Sequence, residues 1–203
     1  MQQKKIEKRL VIDNLCFLDI GPVNLDISKS ECIGITGPSG AGKTLFLRAV
    51  SDIDRHTGKI YLDGIESCRI PGHEWRKQVG LLPSESSWWF DKVEEHFPYI
   101  EKKWFEILGF DLSVVKYRIS RLSSGERQRL ALLRLLCNHP KVILLDEPTA
   151  NLDSANSMAV EKLLCDYCLE NESAMIFISH DIRQLKRVSD RCFVFMDKRL
   201  KDM

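Results

Sequence analysis

Short runs of consecutive apolar residues alternate with helix-forming segments along most of this chain. The apolar runs lie at residues 32–36, 142–145 and 174–178. Runs of this length are typical of strands in a parallel sheet that is covered on both faces. Residues 45–50 and 154–170 have the composition of helices, and each segment follows one of these runs. The pattern predicts an α/β fold built on a mostly parallel sheet.

The first apolar run leads directly into the string GPSGAGKT, which fits the pattern G-x-x-x-x-G-K-[ST]. Its glycines permit positive φ angles, so the backbone N–H groups can wrap around an anion, and the following helix adds its positive end. A chance glycine-rich turn is the alternative, but strand, loop, Lys-Thr pair and helix all coincide here. The predicted phosphate-binding residues are Gly37, Pro38, Ser39, Gly40, Ala41, Gly42, Lys43 and Thr44. We expect Lys43 to reach the β- and γ-phosphates of ATP or GTP, and the Thr44 hydroxyl to bind Mg²⁺.

The second apolar run ends in two adjacent carboxylates, Asp146 and Glu147. Open α/β sheets bind their ligands at the carboxyl ends of the strands, which is where this pair is predicted to lie. Asp146 is suited to hold Mg²⁺, and Glu147 is suited to orient the attacking water. A plain surface turn at Asp-Glu-Pro is the alternative, and the four preceding aliphatic residues argue against it.

Length and composition restrict the class of protein. A chain of 203 residues can bury one substantial core but not two tandem domains. Thirty Lys and Arg residues balance 29 Asp and Glu residues, so no nucleic-acid partner is expected. No apolar stretch of signal-peptide type follows the basic residues 1–5, and no run approaches the roughly 18 residues of a membrane helix. We therefore expect a soluble protein of the cytosol.

Three further strings resemble the ATPase domain of ABC proteins in order and spacing. They are LSSGERQRLALLRLL at residues 122–136, DEPTANLD at 146–153 and SHD at 179–181. The resemblance covers essentially the whole chain and implies one domain, residues 1–203, with a P-loop core, an N-terminal antiparallel β-subdomain and a shortened helical subdomain at about 86–135. A strand that enters the Asp63-Gly64 turn agrees with the β-subdomain.

The resemblance also assigns expected roles to individual residues. It implies that His180 contacts the γ-phosphate and that Asp153 is the aspartate of the D-loop. His180 follows the third apolar run, where a ligand-facing residue is expected. Phe17 stands where the family places an aromatic ring on adenine, although a core position explains Phe17 equally well.

The LSSGE string makes functional sense only across an interface. Ser123 and Gly125 precede a helix that begins near Glu126, so a second helix terminus suited to phosphate lies far along the chain from the first. The resemblance implies that two such domains pack head to tail and that Ser123, Gly125 and Glu126 complete the partner's ATP site. Taken alone, the string also fits an ordinary helix cap.

Two residues depart from the family's pattern. Ser84 stands where related transport ATPases have a glutamine that contacts Mg²⁺, and Glu85 follows it. Ser124 replaces a glycine of the LSSGE string and adds a side chain where backbone and phosphate approach closely. These changes predict slow or partner-dependent turnover, with Ser84 as a modified metal contact.

The segment after Ser84 is rich in aromatic residues. Neighbours on any regular element point apart, so at least one of Trp88 and Trp89 is expected to be exposed. The pair is either a docking site for a partner or a plain hydrophobic cap. The histidines other than His180 lack such context and are expected at the surface: His56, His73, His96 and His139.

The interpretation that follows is an ATP-binding and ATP-hydrolysing subunit of an ABC transporter. The predicted catalytic residues are Lys43, Glu147 and His180, and the cofactors are ATP and Mg²⁺. Expected partners are a second ABC ATPase subunit, identical or not, and separately encoded membrane permease subunits that hold the protein at the cytoplasmic face of a membrane. A soluble ABC ATPase of an assembly or repair complex is the alternative. A P-loop kinase for a small molecule would leave the LSSGE, DEPTANLD and SHD strings unexplained.

Overall fold

Two β-sheets form the framework of the chain. The computed structural model describes residues 7–203, so the expectation about residues 1–5 lies outside the described residues. A four-stranded antiparallel sheet has the order β2-β1-β4-β5, and a six-stranded sheet has the order β10-β9-β3-β8-β7-β6. The strands are β1 (Lys8–Phe17), β2 (Ile20–Ser28), β3 (Cys32–Thr36), β4 (Thr57–Leu62), β5 (Ile65–Glu66), β6 (Val79–Leu82), β7 (Val142–Asp146), β8 (Ala174–Ile178), β9 (Arg191–Met196) and β10 (Arg199–Asp202).

Helices connect and cover the strands of the larger sheet. They are α1 (Lys43–Val50), α2 (Gly72–Gln78), α3 (Lys102–Ile107), α4 (Ser124–Leu136), α5 (Ser154–Glu170) and α6 (Ile182–Val188). Strands β3, β6, β7, β8 and β9 run parallel, and β10 pairs antiparallel with β9. The predicted α/β fold with a mostly parallel sheet and an N-terminal antiparallel subdomain is therefore confirmed. None of the helices in the described part of the chain is long and apolar enough to cross a membrane.

The central strands are buried on both faces, as their uninterrupted apolar sequences predict. In β7, Val142 and Leu144 belong to one hydrophobic cluster, and Ile143 and Leu145 belong to the other. The first cluster includes α1 and the antiparallel sheet, and the second includes α4 and α5. Because successive side chains of a strand point to opposite faces, each strand joins both clusters. Displacing β7 by one residue would exchange the two faces.

The pairing register places the carboxyl ends of four strands side by side. Ile35 of β3 pairs with Ile178 of β8, and Ile178 also lies next to Asp146 of β7. Leu82 of β6 pairs with Leu145. The segments that follow these strands therefore start from one edge of the sheet. They carry the GPSGAGKT loop, His180, Glu147 and Ser84.

The antiparallel sheet is fixed to the larger sheet by a charged contact. The buried Arg9 donates to Asp63 Oδ1 at 2.6 Å and to the backbone oxygen of Glu172 at 2.9 Å. Lys141 donates to the other oxygen of Asp63 at 2.8 Å. Asp63 and Gly64 form the predicted turn between β4 and β5, both with positive φ. Arg9 and Lys141 therefore hold that turn against the segments that precede β8 and β7.

The segment between β6 and α4 contains little regular structure. It holds α3 and short 3₁₀ turns at Glu94–His96, Leu112–Lys116 and Ile119–Arg121. Trp89 is 64% exposed, as expected for one member of the Trp-Trp pair, whereas Trp88 is partly buried. The expectation of a surface position is wrong for His96, which is buried. Its Nε2 accepts hydrogen bonds from the backbone N–H groups of Trp89 and Phe90 at 3.1 and 3.0 Å, so it organises this segment from inside.

Two glycines of the antiparallel sheet allow a matched test of backbone packing. Gly58 and Gly64 have similar φ angles, +85° and +79°. A Cβ on Gly58 would lie 2.3 Å from the Asn14 oxygen at an irregularity in β1, whereas a Cβ on Gly64 would meet nothing within 4 Å. We expect Gly64→Ala to cost about 1 kcal/mol and Gly58→Ala about 3 kcal/mol.

Thermal unfolding of the two variants checks this expectation. The melting temperature should fall by about 3 °C for Gly64→Ala and about 9 °C for Gly58→Ala. Equal shifts would show that the close approach of Gly58 to Asn14 is absent in solution.

Candidate active site

The loop between β3 and α1 has the backbone conformation that its glycines predict. Gly37, Gly40 and Gly42 adopt φ angles of 144°, 78° and 101°. A Cβ on Gly37 would lie 2.4 Å from the backbone oxygen of Phe195, so the loop also packs against β9. The loop thus has the left-handed turns from which phosphate-binding nests are built.

Lys43 begins α1 and holds its ammonium group over this loop. Its Nζ donates to the backbone oxygens of Gly37 and Pro38 at 2.8 and 2.9 Å. Burial lowers the pKa of Lys43, while the nearby carboxylates of Glu147 and Asp146 act in the opposite direction. A cation that is partly removed from water and paired mainly with neutral carbonyls is suited to an anionic ligand.

Thr44 and Asp146 form a direct pair beside the lysine. The Thr44 hydroxyl donates to Asp146 Oδ2 at 2.7 Å. Burial raises the pKa of Asp146, the Thr44 hydrogen bond opposes this effect, and the neighbouring Glu147 raises the pKa further. A hydroxyl and a carboxylate are hard oxygen donors, and a divalent cation would stabilise the buried charge. The pair therefore fits the expected Mg²⁺.

Ser84 lies close enough to share a cavity with that pair. A cavity of about 180 Å³ is lined by Thr44, Arg48, Leu81, Pro83, Ser84, Glu85 and Asp146. Ser84 and Glu85 are both exposed at its mouth. The carboxylate of Glu85 therefore lines this cavity together with Ser84, whereas the sequence predicted a metal contact for Ser84 alone.

Glu147 and His180 meet across the ends of β7 and β8. Glu147 Oε1 lies 2.9 Å from His180 Nε2. Glu147 has a left-handed φ of 51°, which is uncommon for a residue with a side chain, and its N–H donates to the Ile178 oxygen at 3.1 Å. Both side chains face the glycine-rich loop across a cavity of about 290 Å³. Its lining is Ser39, Gly40, Gly42, Lys43, Thr44, Leu45, Glu147 and His180.

The LSSGE string forms the capped start of α4. Ser123 is the N-cap, and it and Glu126 form a reciprocal capping box, with Ser123 N donating to Glu126 Oε2 at 2.8 Å. A Cβ on Gly125 would lie 3.0 Å from Leu152 Cδ2. Ser123 thus caps the helix, as the helix-cap interpretation of this string predicts. The N-terminus of α4 lies beside the DEPTANLD segment, because Gly125 approaches Leu152. Among the described residues that line the 290 Å³ cavity, none comes from this string.

Asp153 and Phe17 have local structural roles in this chain. Asp153 caps α5 and accepts from the Asn156 N–H at 2.9 Å. Phe17 is only 3% exposed, and its ring centroid lies 6.2 Å from that of Phe46 in the core. Phe17 also reaches a cavity that it lines with Leu18, Leu45, Asp54 and Arg55. Phe17 therefore lies in the core, as one of the two interpretations of the sequence predicted. Its contact with adenine stays a prediction.

A buried polar cluster behind Glu147 and His180 was not predicted from the sequence. Its buried members are Thr149, Glu161, Ser179 and Gln184, and the exposed Arg187 pairs with Glu161. The signal was weak, because polar residues within α5 and α6 look like solvent-facing positions when read alone. Gln128 of α4 was missed in the same way; it is buried, and its Nε2 donates to the Pro83 oxygen at 3.0 Å.

The fold and this edge of the sheet define a P-loop nucleotide-binding domain. The family model described as "ABC transporter" matches residues 20–150. This match covers more than half of the chain, and the chain therefore belongs to the ABC transporter family.

Several curated proteins are similar to the chain. Protein STAR1 of Oryza sativa subsp. japonica is 30% identical over 83% of this chain and 52% of that protein. The methionine import ATP-binding protein MetN 1 of Oceanobacillus iheyensis is 30% identical over 97% of this chain and 64% of that protein. The phosphate import ATP-binding protein PstB 2 of Shouchella clausii is 31% identical over 88% of this chain and 74% of that protein. The chain thus spans about half to three quarters of the length of these relatives.

Two solved structures share the fold. A bacterial Atm1-family ABC exporter with ATP bound has a TM-score of 0.83 at 20% identity, over 97% of this chain and 38% of that chain. An ATP-binding cassette in a dimeric post-hydrolysis state, bound to ADP and Pi, has a TM-score of 0.81 at 23% identity, over 94% of this chain and 96% of that chain. At these identities the likeness confirms the architecture.

The Thr44–Asp146 pair leads to a prediction about metal dependence. Thr44→Val keeps the side-chain shape and removes the hydroxyl. We expect ATP affinity in the presence of Mg²⁺ to fall about tenfold, and affinity in EDTA to change less than about twofold, because the hydroxyl would bind the metal and its hydrogen bond to Asp146 does not involve the nucleotide. Titration calorimetry with and without Mg²⁺ measures both. Lys43→Met is the comparison variant and should weaken binding under both conditions. Equal losses for Thr44→Val with and without Mg²⁺ would contradict the assignment.

Proposed function

We propose that this chain is the ATP-binding and ATP-hydrolysing subunit of an ABC transporter. The observation that carries the proposal is the cavity in which Lys43 and Thr44 face Glu147 and His180. A cation, a hydroxyl, a carboxylate and an imidazole around a phosphate-binding loop are the groups that phosphoryl transfer to water requires. Family membership and the names of relatives such as the MetN 1 and PstB 2 import proteins support this assignment.

The proposed mechanism uses groups that already lie together. Lys43 and the loop N–H groups stabilise charge on the γ-phosphate, while Glu147 orients and polarises the attacking water. His180 contacts the γ-phosphate and, through its 2.9 Å contact, also holds Glu147. Thr44 and Asp146 would hold Mg²⁺, with Ser84 at the mouth of their cavity. When bound, the ion supplies positive charge to the phosphate oxygens.

We further propose that a second ATPase subunit completes the site. The capped N-terminus of α4 includes Ser123, Gly125 and Glu126, and a helix N-terminus is suited to bind phosphate. Among the described residues, none of these three lines the cavity of the glycine-rich loop. Head-to-tail packing places this terminus and Asp153 against the partner's ATP. Because ATP then contacts both subunits, binding favours the closed dimer and hydrolysis releases it. Identical and non-identical partners are both compatible with this arrangement.

The proposed docking site for a membrane permease is the aromatic surface formed by Trp88, Trp89 and Phe90. Trp89 and Phe90 are 64% and 50% exposed. The guanidinium of Arg134 lies 4.5 Å from the Trp88 ring centroid and 4.6 Å from that of Trp89, so the pair is held rigidly. Rigid, exposed aromatic side chains beside an arginine are typical of binding hot spots. Through such a permease the subunit would act at the cytoplasmic face of a membrane. The relatives' names give different cargoes, so no cargo is proposed.

The first prediction of this proposal concerns turnover. Ser84 and Ser124 stand where the family pattern has a glutamine and a glycine, and we expect them to slow hydrolysis. Ser84→Gln combined with Ser124→Gly should raise the steady-state ATPase rate of the purified chain about tenfold. Ser87→Gln, an exposed change in the same segment, is the control and should have no effect. A wild-type rate that is already fast without a partner would contradict this explanation.

The second prediction concerns the permease. We expect Glu147→Gln to bind ATP without hydrolysing it and so to stay in the closed complex. Isolated from detergent-solubilised membranes with ATP and Mg²⁺, this variant should retain a multi-helix membrane protein. Adding Trp88→Ala and Trp89→Ala should release that protein, whereas adding Ile65→Ala, which changes a 52% exposed side chain on β5, should not.

The outcomes of this isolation separate the two candidate functions. Recovery of soluble proteins alone would contradict the transporter proposal and favour an assembly or repair ATPase. Recovery of a membrane protein that survives the tryptophan substitutions would keep the transporter and reject the docking site.

A further inference from the structure

Four polar side chains are buried together behind the Glu147–His180 pair. Thr149 and Ser179 follow β7 and β8, and Glu161 and Gln184 lie on α5 and α6. All four are less than 10% exposed. Buried polar groups lower stability unless their hydrogen bonds are satisfied, so the partners of each group define what the cluster does.

Gln184 is the centre of this cluster. Its Oε1 accepts from the Ser179 hydroxyl at 2.7 Å. Its Nε2 donates to Thr149 Oγ1 and to Glu161 Oε1, both at 2.8 Å. Both amide protons and the carbonyl oxygen are therefore used.

The neighbours of Gln184 determine which way its amide points. Arg187 donates to both oxygens of Glu161 at 2.6 and 2.7 Å, so Glu161 is a carboxylate that can only accept. The group of Gln184 that faces Glu161 must then be its NH₂, which turns Oε1 toward Ser179. The Ser179 hydroxyl donates to that oxygen and accepts from the Asp181 N–H at 3.0 Å. The donors therefore point in one direction from Asp181 through Ser179 and Gln184 to Glu161, and Arg187 donates to Glu161 from the other side.

The residues that form this chain of hydrogen bonds are close in sequence to both proposed active residues. Ser179 and Asp181 stand on either side of His180, and Thr149 lies two positions after Glu147. A cavity of about 580 Å³ borders Glu147, His180, Thr149 and Gln184, so solvent or a partner surface can reach the loops from this side. Within the described part of the chain, Gln184 forms no hydrogen bond to either active side chain, but it joins the two loops that carry them.

We propose that Gln184 is a positioning residue that holds the His180 loop in register with the Glu147 loop. The inference rests on the proposed roles of Glu147 and His180. Without Gln184, the Ser179 and Thr149 hydroxyls lose their common partner, and each loop can shift independently. A shift of about 1 Å in such a pair is enough to slow a reaction by up to a hundredfold while leaving substrate binding intact.

Gln184→Leu is the first test, because it preserves size and removes all three hydrogen bonds. We expect kcat for ATP to fall at least about tenfold and KM to change less than about twofold. The ring resonances of His180, assigned among the five histidines with a His180→Ala variant, should also shift in the NMR spectrum.

Ser173→Ala is the matched control for lost stability alone. Ser173 is buried, and its hydroxyl donates to the Pro140 oxygen at 2.8 Å, away from the site. We expect both variants to lower the melting temperature, but only Gln184→Leu to change kcat and the His180 resonances. If both variants lower the melting temperature while kcat and those resonances stay at wild-type values, Gln184 is only structural and the inference is wrong.

A charge exchange provides a rescue experiment. Gln184→Glu places a second carboxylate against Glu161, and we expect it to reduce kcat at least as much as Gln184→Leu does. Adding Glu161→Gln restores one amide and one carboxylate in the pair, so kcat should recover several-fold. No recovery, with a folded double variant, would contradict a role based on the hydrogen-bond chain.

Failure of the inference can be distinguished from failure of the proposed function. If Glu147→Gln and the wild type hydrolyse ATP at the same rate, the proposed roles are wrong. The His180 resonances still test the positioning in that case. Their movement in Gln184→Leu but not in Ser173→Ala supports the link between the loops, and their constancy overturns it.

Discussion

The register of the parallel sheet determines where the loops of the candidate site begin. Hydrogen bonds between β3, β8 and β7 align Ile35, Ile178 and Asp146, so the loops that follow these strands begin at one edge. Each strand is apolar on both faces and is held by a hydrophobic cluster on either side. A slip of one residue would exchange those faces, which makes the register costly to change. The packing of the core thereby determines where the charged groups meet.

The charged groups at that edge lower the stability of the folded chain. Asp146 is buried with its pKa raised, Lys43 is buried with its pKa lowered, and Glu147 adopts a left-handed backbone. Each of these features favours the unfolded chain locally, and a bound phosphate and cation would relieve or use each of them. Strain and desolvation concentrated at one cavity, within an otherwise well-packed sheet, are expected of a site selected for ligand binding.

The local parts of this arrangement could be predicted from the sequence, and the long-range parts could not. The glycine-rich loop, the strand that ends in Asp146 and the turn at Asp63 each depend on neighbours in the chain, and their geometry follows the prediction. The Gln184 cluster joins two helices with the loops that follow β7 and β8, through hydrogen bonds that span 35 and 23 residues of the chain. Such contacts form only when the tertiary fold brings distant segments together, so neither periodicity nor spacing indicates them.

The fate of ATP bound to the purified chain shows whether this edge of the sheet hydrolyses the nucleotide. Radiolabelled ATP and Mg²⁺ would be mixed with excess protein, and the bound nucleotide would be identified over time for the wild type and for Glu147→Gln. We expect both proteins to bind the nucleotide, the wild type to convert it to ADP, however slowly, and the variant to retain ATP. Equal rates of hydrolysis in the two proteins, or no binding to either, would contradict the assignment of this edge of the sheet as an ATP-hydrolysing site.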